Sequence, residues 1–241
     1  MLRRMIWLLA PLYLVACATT PAPVRDGPAI ADGSGDGVGD GTEETVEVNL
    51  PSAPPPAGTF IPDDTIHICS GLRVRNAPQS DRDGNVLEYD RLVVALDRIV
   101  LAPVPLNGGC ISSGYGQRDG RLHKGLDISA PRGTWVYSAA PGVVLEAGWG
   151  GGYGNYVLID HGLGLITRYA HLDTFVEGME VGAELGFGWP IGQVGNTSSR
   201  RVGVHLHFEV LTGNYDNPKK SFGLSGNDPL SFPIYVTPPV S

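Results

Sequence analysis

Three short stretches of this chain carry side chains able to do metal or acid–base chemistry. In GVHLHFEV (203–210) the pattern is that of a strand, whose side chains alternate between faces. Val204, Leu206, Phe208 and Val210 share one face, and His205, His207 and Glu209 share the other. Two adjacent imidazoles repel when both are protonated. They are compatible where a metal or a reaction keeps them in different states. Whether Glu209 supports a neighbour or faces solvent is open at this level. In RLHKGLDIS (121–129), His123 and Asp127 stand four apart, which is one face of a strand or of a helix. Gly125 and the following Ala130-Pro131-Arg132-Gly133 favour a strand or loop. His and Asp are good zinc ligands, and with one more His they make the three-ligand set with an open position that catalytic zinc uses. A structural zinc site would close its fourth position with protein, usually Cys, and the nearest one, Cys110, is better explained by pairing. Alone, His-x-x-x-Asp is a weak signal; beside a later His-x-His it is much stronger. In TRYAHL (167–172), His171 ends an alternating strand with Ile166 and Arg168, and alone it reads as a strand-end surface histidine. His161, in the turn IDHGLG, reads as structural, and His67 as structural or exposed.

The elements that must position these groups are short. From residue 106 onward, apolar runs such as WVYSA, GVVLEAG, YVLIDH and LITRYAHL alternate with glycine turns at 150–155 and 161–164, the spacing of an antiparallel β fold. The 34 glycines and 20 prolines fit turns and linkers, and no long helical period occurs. The expected fold is mainly β: an antiparallel domain over 106–235, a small segment over 66–105, and a short tail over 236–241. Ile66–Ile68, Leu72–Arg75 and Leu92–Leu96 read as short strands or one short helix, with a turn at Asp81–Asn85.

The remaining sequence points to export. Arg3 and Arg4 precede an apolar run from Met5 to Ala16. Twelve residues reach only about 18 Å as a helix, against a bilayer core of about 30 Å, so a permanent span is not expected. The run closes on Leu14-Val15-Ala16-Cys17, which resembles the lipobox of bacterial lipoproteins, in which this Cys is lipidated as the first mature residue. The plainer alternative is a cleaved signal with an incidental Cys. Residues 1–17 are thus assigned to a lipoprotein signal and Cys17 to a membrane anchor. Ala18 points to the outer membrane, facing the periplasm, if the source is Gram-negative. Residues 18–65 are Pro/Gly-rich and carry nine acids against one base, the composition of a disordered linker. Within it, Asp32 to Glu43 nearly fits a calcium loop, but no amphipathic helix flanks it. Residues 66–241 carry 16 acids and 14 bases, so most of the net charge of −8 belongs to the linker. No basic stripe suggests nucleic-acid binding. In an exported chain, Cys69 and Cys110 read as a disulfide pair, the alternative being two unrelated buried thiols.

SGYGQR (113–118), HKGLDI (123–128), YGNYVLIDHG (153–162), TRYAHL (167–172), IGQVGNT (191–197) and HLHFEV (205–210) occur in the order found in lysostaphin-type, or LytM-domain, zinc metallopeptidases. The resemblance covers about residues 106–235. It implies one zinc per chain, held by His123, Asp127 and His207, with His171 and His205 as non-ligand catalytic histidines. Arg118 falls at a polar position of less certain, auxiliary role. The implied substrate is bacterial peptidoglycan, cut at peptide bonds of its stems or cross-links. Relatives that instead activate a cell-wall amidase typically lose ligands or catalytic histidines; this chain keeps all five. The chain departs from the common pattern at Ser198–Val204, where Arg200 and Arg201 occupy a loop that is often small. Whether residues 66–105 cover the cleft is open at this level.

Overall fold

Residues 53–215 and 223–236 are described by the structure, a computed structural model. They belong to the unit Val48–Ser241. The lipobox Cys17, the calcium-like loop and most of the linker lie outside the described residues. Among the described residues the regular elements are strands: β1 (His67–Ile68), β2 (Val93–Ala95), β3 (Ile99–Leu101), β4 (Cys110–Ser113), β5 (Gly116–Arg118), β6 (Arg121–His123), β7 (Leu126–Ser129), β8 (Trp135–Tyr137), β9 (Gly142–Gly150), β10 (Gly154–Asp160), β11 (Leu165–Phe175), β12 (Glu184–Leu185), β13 (Pro190–Val194), β14 (Leu206–Gly213) and β15 (Leu224–Asn227). Leu92–Leu96, readable as strand or helix, contributes β2.

Eleven strands join one sheet, in the order β1-β4-β7-β14-β11-β10-β9-β12, with β13 and β8 continuing from β11 and β15 flanking β14. Every strand pair is antiparallel except β1–β4. The alternation in GVHLHFEV is realised: Leu206, Phe208 and Val210 enter the core fully buried. Phe208 packs on Tyr169 of the next strand, with ring centroids 5.2 Å apart. Burying a side chain of this size contributes about 1.5–3 kcal/mol. The opposite face of the same strand is thereby held toward the cleft.

In β11 the alternation breaks. Asn155 pairs with Leu172 and Val157 with Tyr169, so two residues of β11 face one of β10. This is a β-bulge, a device that re-aims a side chain. Regular alternation would send His171 to the core face with Thr167 and Tyr169. The bulge turns it to the face of Arg168. His171 has φ +63°, a left-handed conformation rare for a non-glycine residue.

One boundary differs from the composition-based reading. The linker assigned to 18–65 ends earlier, because Phe60 and Pro62 are buried. Phe60 stacks on Tyr137 at 4.3 Å between centroids. An aromatic ring within a Pro/Gly-rich stretch carries enough apolar area to dock. Residues 66–105, read as a small segment before the domain, contribute to its core. Ile66, Val93, Leu101 and Val104 belong to the same core cluster as Leu206 and Phe208. Cys69 and Cys110 have their sulfurs at bonding distance, 1.99 Å, beside the β1–β4 pair. His67 is exposed.

Candidate metal centre

Neighbouring strands bring the three proposed ligands together. Asp127 on β7 pairs directly with His207 on β14, and His123 closes β6 four residues before Asp127. All three are buried. Asp127 Oδ1 lies 3.0 Å from His123 Nε2 and 2.8 Å from His207 Nδ1. The two imidazole nitrogens are 3.2 Å apart.

Hydrogen bonds on the far side of each ring fix what those converging atoms are. His123 Nδ1 faces the Gly114 carbonyl at 2.7 Å, and a carbonyl only accepts, so Nδ1 carries the proton. His207 Nε2 donates to Glu209 Oε1 at 3.0 Å. In the neutral rings His123 Nε2 and His207 Nδ1 therefore present lone pairs, and they present them to a carboxylate oxygen. Three ligand atoms this close could hold a metal ion between them, and without one a proton on an imidazole bridges to the carboxylate. Zinc with bonds of about 2.0–2.1 Å spaces tetrahedral ligand atoms roughly 3.3 Å apart, so the triangle needs to open only slightly to hold one. The three residues fit the metal, and protein support behind each ligand is the usual means of orienting it.

The electrostatics agree. Burial by itself would raise the pKa of Asp127, but the hydrogen bonds and charges of His123 and His207 hold it well below the usual carboxylate range. Burial by itself would lower that of His207, but Asp127 and Glu209 push it up to about 9. Two buried carboxylates thus favour positive charge at this point. Arg118 donates from Nη1 to Asp127 Oδ2 at 3.2 Å and to Ser113 Oγ at 2.9 Å. It thereby takes up the oxygen that Asp127 does not turn to the imidazoles.

His171 and His205 stand beside the triangle. Their rings are 4.7 Å apart, and His205 Nε2 is 3.6 Å from Asp127 Oδ1. His171 Nδ1 donates to the Thr197 carbonyl at 2.7 Å. His205 Nδ1 donates to the Gly203 carbonyl at 2.9 Å. Each neutral ring keeps its Nε2 lone pair. Burial lowers the pKa of His171 to about 4 despite the Thr197 carbonyl, and burial likewise lowers that of His205, opposed by Asp127. Both rings are neutral proton acceptors near pH 7. They line one cavity of about 570 Å³ with Asp127 and His207. Arg200 lines this cavity, whereas Arg201 does not. No residue of 53–105 lines it, so among the described residues that segment does not cover it.

Several contributors were invisible to motif reading. Glu209 is buried and accepts from His207, from Tyr153 Oη at 3.2 Å and from Arg168 in an ion pair. Burial raises the pKa of Glu209, but His207 and Arg168 outweigh it and bring it to about 2. The Tyr153 hydroxyl accepts from Arg168 at 2.8 Å, and its carbonyl accepts the His171 N–H at 2.8 Å. Gly154 has φ +63°, and a Cβ there would meet the Thr197 carbonyl at 2.0 Å, so only glycine lets the loop that orients His171 come this close. Gly114 donates its N–H to the Arg75 carbonyl at 2.8 Å. The 66–105 segment therefore anchors the residue that orients His123. His161, read as structural, is tied at both nitrogens, to the Pro141 carbonyl and Thr167.

The sheet brings together three side chains that could hold a metal ion, two further histidines and an open cleft, the residue types that a catalytic metal site uses. Comparison with known proteins points the same way: residues 121–218 match Peptidase family M23. The matched range contains all three proposed ligands and both other histidines. A DD-carboxypeptidase/endopeptidase, Mpg, of Neisseria meningitidis serogroup B is 44% identical over 117 residues, 45% of this chain and 26% of that protein. The peptidoglycan DD-endopeptidase ShyC of Vibrio cholerae is 35% identical over 147 residues, 58% of this chain and 33% of that protein. The Escherichia coli lipoprotein YgeR is 41% identical over 97 residues, 40% of this chain and 37% of that protein. The matches thus span between about a quarter and two fifths of these relatives' lengths.

Proposed function

We propose that this chain is a zinc-dependent endopeptidase that hydrolyses peptide bonds in peptidoglycan stems or cross-links. The observation that carries the reading is the pairing of a three-acceptor triangle with two neutral imidazoles that are not part of it. His123, Asp127 and His207 would hold one zinc, which supplies a Lewis acid for water and for a peptide carbonyl. His205 and His171, each with its Nδ1 proton committed to a backbone carbonyl, offer Nε2 to the proton of an attacking water. The ring that takes this proton becomes an N–H donor, able to stabilise oxygen charge in the tetrahedral species or to protonate the leaving amine. The bulge at His171 and the short Gly203 contact at His205 hold both rings on the cleft side. The name of ShyC supports peptidoglycan as substrate, and that of Mpg supports peptidase chemistry. Export with a lipid anchor on Cys17 suits a substrate beside a membrane, and the lipoprotein name of YgeR supports it. In an exported protein the Cys69–Cys110 pair would stay oxidised.

The test is digestion of purified peptidoglycan by the full-length protein, with and without a zinc chelator, followed by mass analysis of the fragments. New peptide termini that appear only with metal are expected, and His123→Ala should abolish them. Glycan cleavage, or unchanged cleavage in chelator, overturns the proposal. Cys17→Ala should move the protein out of the membrane fraction; continued retention overturns the anchor.

A further inference from the structure

The chain is acidic, with a net charge of −8, but the cleft is not. The cavity lined by Asp127 and His207 shares Arg118, Gly152, Tyr153 and His207 with a second opening of about 690 Å³, which His123 lines. That second opening is lined further along by Arg121 and Lys124. Its acids are committed: Glu209 to Arg168 and His207, and Asp119 to Arg75. Among the described residues, no acid stands within ion-pair distance of Arg121 or Lys124. Neither cation has an ion-pair partner, although Lys124 acts at longer range on the buried Glu209 carboxylate, and both lie in a concave wall directly beyond the proposed metal ligands.

Their positions are built rather than incidental. Asp119 and Gly120 form a tight turn with φ +51° and +75°, the primed geometry that reverses a two-stranded hairpin. It sets Arg121 opposite Arg118 across the β5–β6 pair. Lys124 follows His123, and its Cβ and backbone press on Gly226, where an added Cβ would lie 2.9 Å from the lysine Cβ. Arg82 and Arg98 are also without an ion pair and, like Arg121, exposed, but they line neither opening.

A guanidinium fits a carboxylate through paired N–H donors, and an ammonium adds a point charge. A concave site lined by positive charge also concentrates anions. We propose that Arg121 and Lys124 form a carboxylate-binding subsite that selects peptides bearing a free carboxylate close to the bond to be cut. The inference rests on the endopeptidase reading and deepens it by naming the chemistry of the preferred substrate. A carboxylate could belong to a substrate side chain or to a chain end, and the test separates them.

The full-length, zinc-loaded protein is given three cross-linked peptide dimers. One has all carboxylates free, one has the side-chain carboxylate amidated, and one has the terminal carboxylate amidated. Wild type is expected to prefer the free form over one amidated form roughly ten-fold, expressed in KM and not in kcat, with the preference shrinking as salt rises. The amidated form that loses the preference identifies the source. In Arg121→Gln/Lys124→Gln the preference should fall to within about two-fold, while Arg98→Gln should keep it. Binding of the same peptides is measured in parallel by fluorescence anisotropy, with circular dichroism confirming the fold of each variant. Arg121→Lys and Lys124→Arg serve as milder variants, expected to keep most of the preference. Equal KM for all three dimers in wild type, or full preference in the double variant, overturns the subsite. Should wild type cut none of the dimers, the endopeptidase reading falls. The binding data then still decide: tighter binding of the free form that is lost in the double variant supports the subsite, and equal binding overturns it.

Discussion

Glu209 offers the sharpest test of how the site is supported, because a single neutral replacement separates charge from shape. Its two oxygens receive three kinds of donor: the His207 Nε2–H, the Tyr153 hydroxyl and the Arg168 guanidinium. Glu209→Gln keeps the volume but leaves one acceptor oxygen and introduces an NH₂ that must face at least one of those donors. One ill-matched buried polar contact costs about 1–3 kcal/mol. For a domain of this size each kcal/mol shifts Tm by roughly 2–4 °C, so a fall of about 2–12 °C is expected by calorimetry. The larger effect falls on the metal. The carboxylate fixes the His207 tautomer that turns Nδ1 toward Asp127, and loss of such support typically weakens metal binding 10–100-fold. Competition with a chromogenic chelator should show a loss of about that size. Tyr153→Phe, which removes one donor and leaves the carboxylate ionised, should change zinc affinity only a few-fold and gauges the hydroxyl alone. If Glu209→Gln folds and binds zinc within two-fold of wild type, the proposed support of His207 by Glu209 is wrong.

Four further outcomes follow from the same geometry. His205→Ala should retain zinc yet lose about 10²–10⁴-fold in hydrolysis; unchanged turnover would remove His205 from the reaction. Cys69→Ser opens a link between residues 41 apart in sequence. Loop-closure entropy for such a link gives about 4 kcal/mol, hence a fall in Tm of roughly 8–16 °C under oxidising conditions, and a shift under about 3 °C would refute the estimate. Phe60→Ala should destabilise by about 1.5–3 kcal/mol, read by urea titration. A protein that starts at residue 66 should melt below one that starts at residue 53, and equal stability would place the linker boundary back at 65.

The proposed ligands were legible because metal chemistry restricts residue type, and because His-x-His and His-x-x-x-Asp each keep two groups on one face. The alternation of Leu206, Phe208 and Val210 likewise made β14 readable. What stayed hidden acts through groups that every residue has. Gly114, Thr197 and Gly203 support histidines by backbone carbonyls, which no side-chain pattern announces. The side of the sheet taken by His171 depends on a bulge, and one extra residue in a ladder leaves no mark in the alternation of a six-residue stretch. Glu209 could not be placed because strand alternation gives a face and not depth. Phe60 was masked by its Pro/Gly-rich neighbours, since composition averages over a window whereas docking depends on one ring.

The bond from Gly114 to the Arg75 carbonyl, together with β1 on the flank of β4, bears on what can be transplanted. A fragment cut to the matched range 121–218 would lack β4, and β7 would then end in an open row of unpaired amides and carbonyls, a template for self-association. A cut at 106 would keep β4 but strip its partner and free the residue that steadies His123. The smallest portable unit is therefore the stretch from Phe60 through Tyr235, since Pro233 and Tyr235 bond to the backbone of Val94 and Leu92. Chimeras built on the shorter definition should aggregate before their chemistry can be assayed.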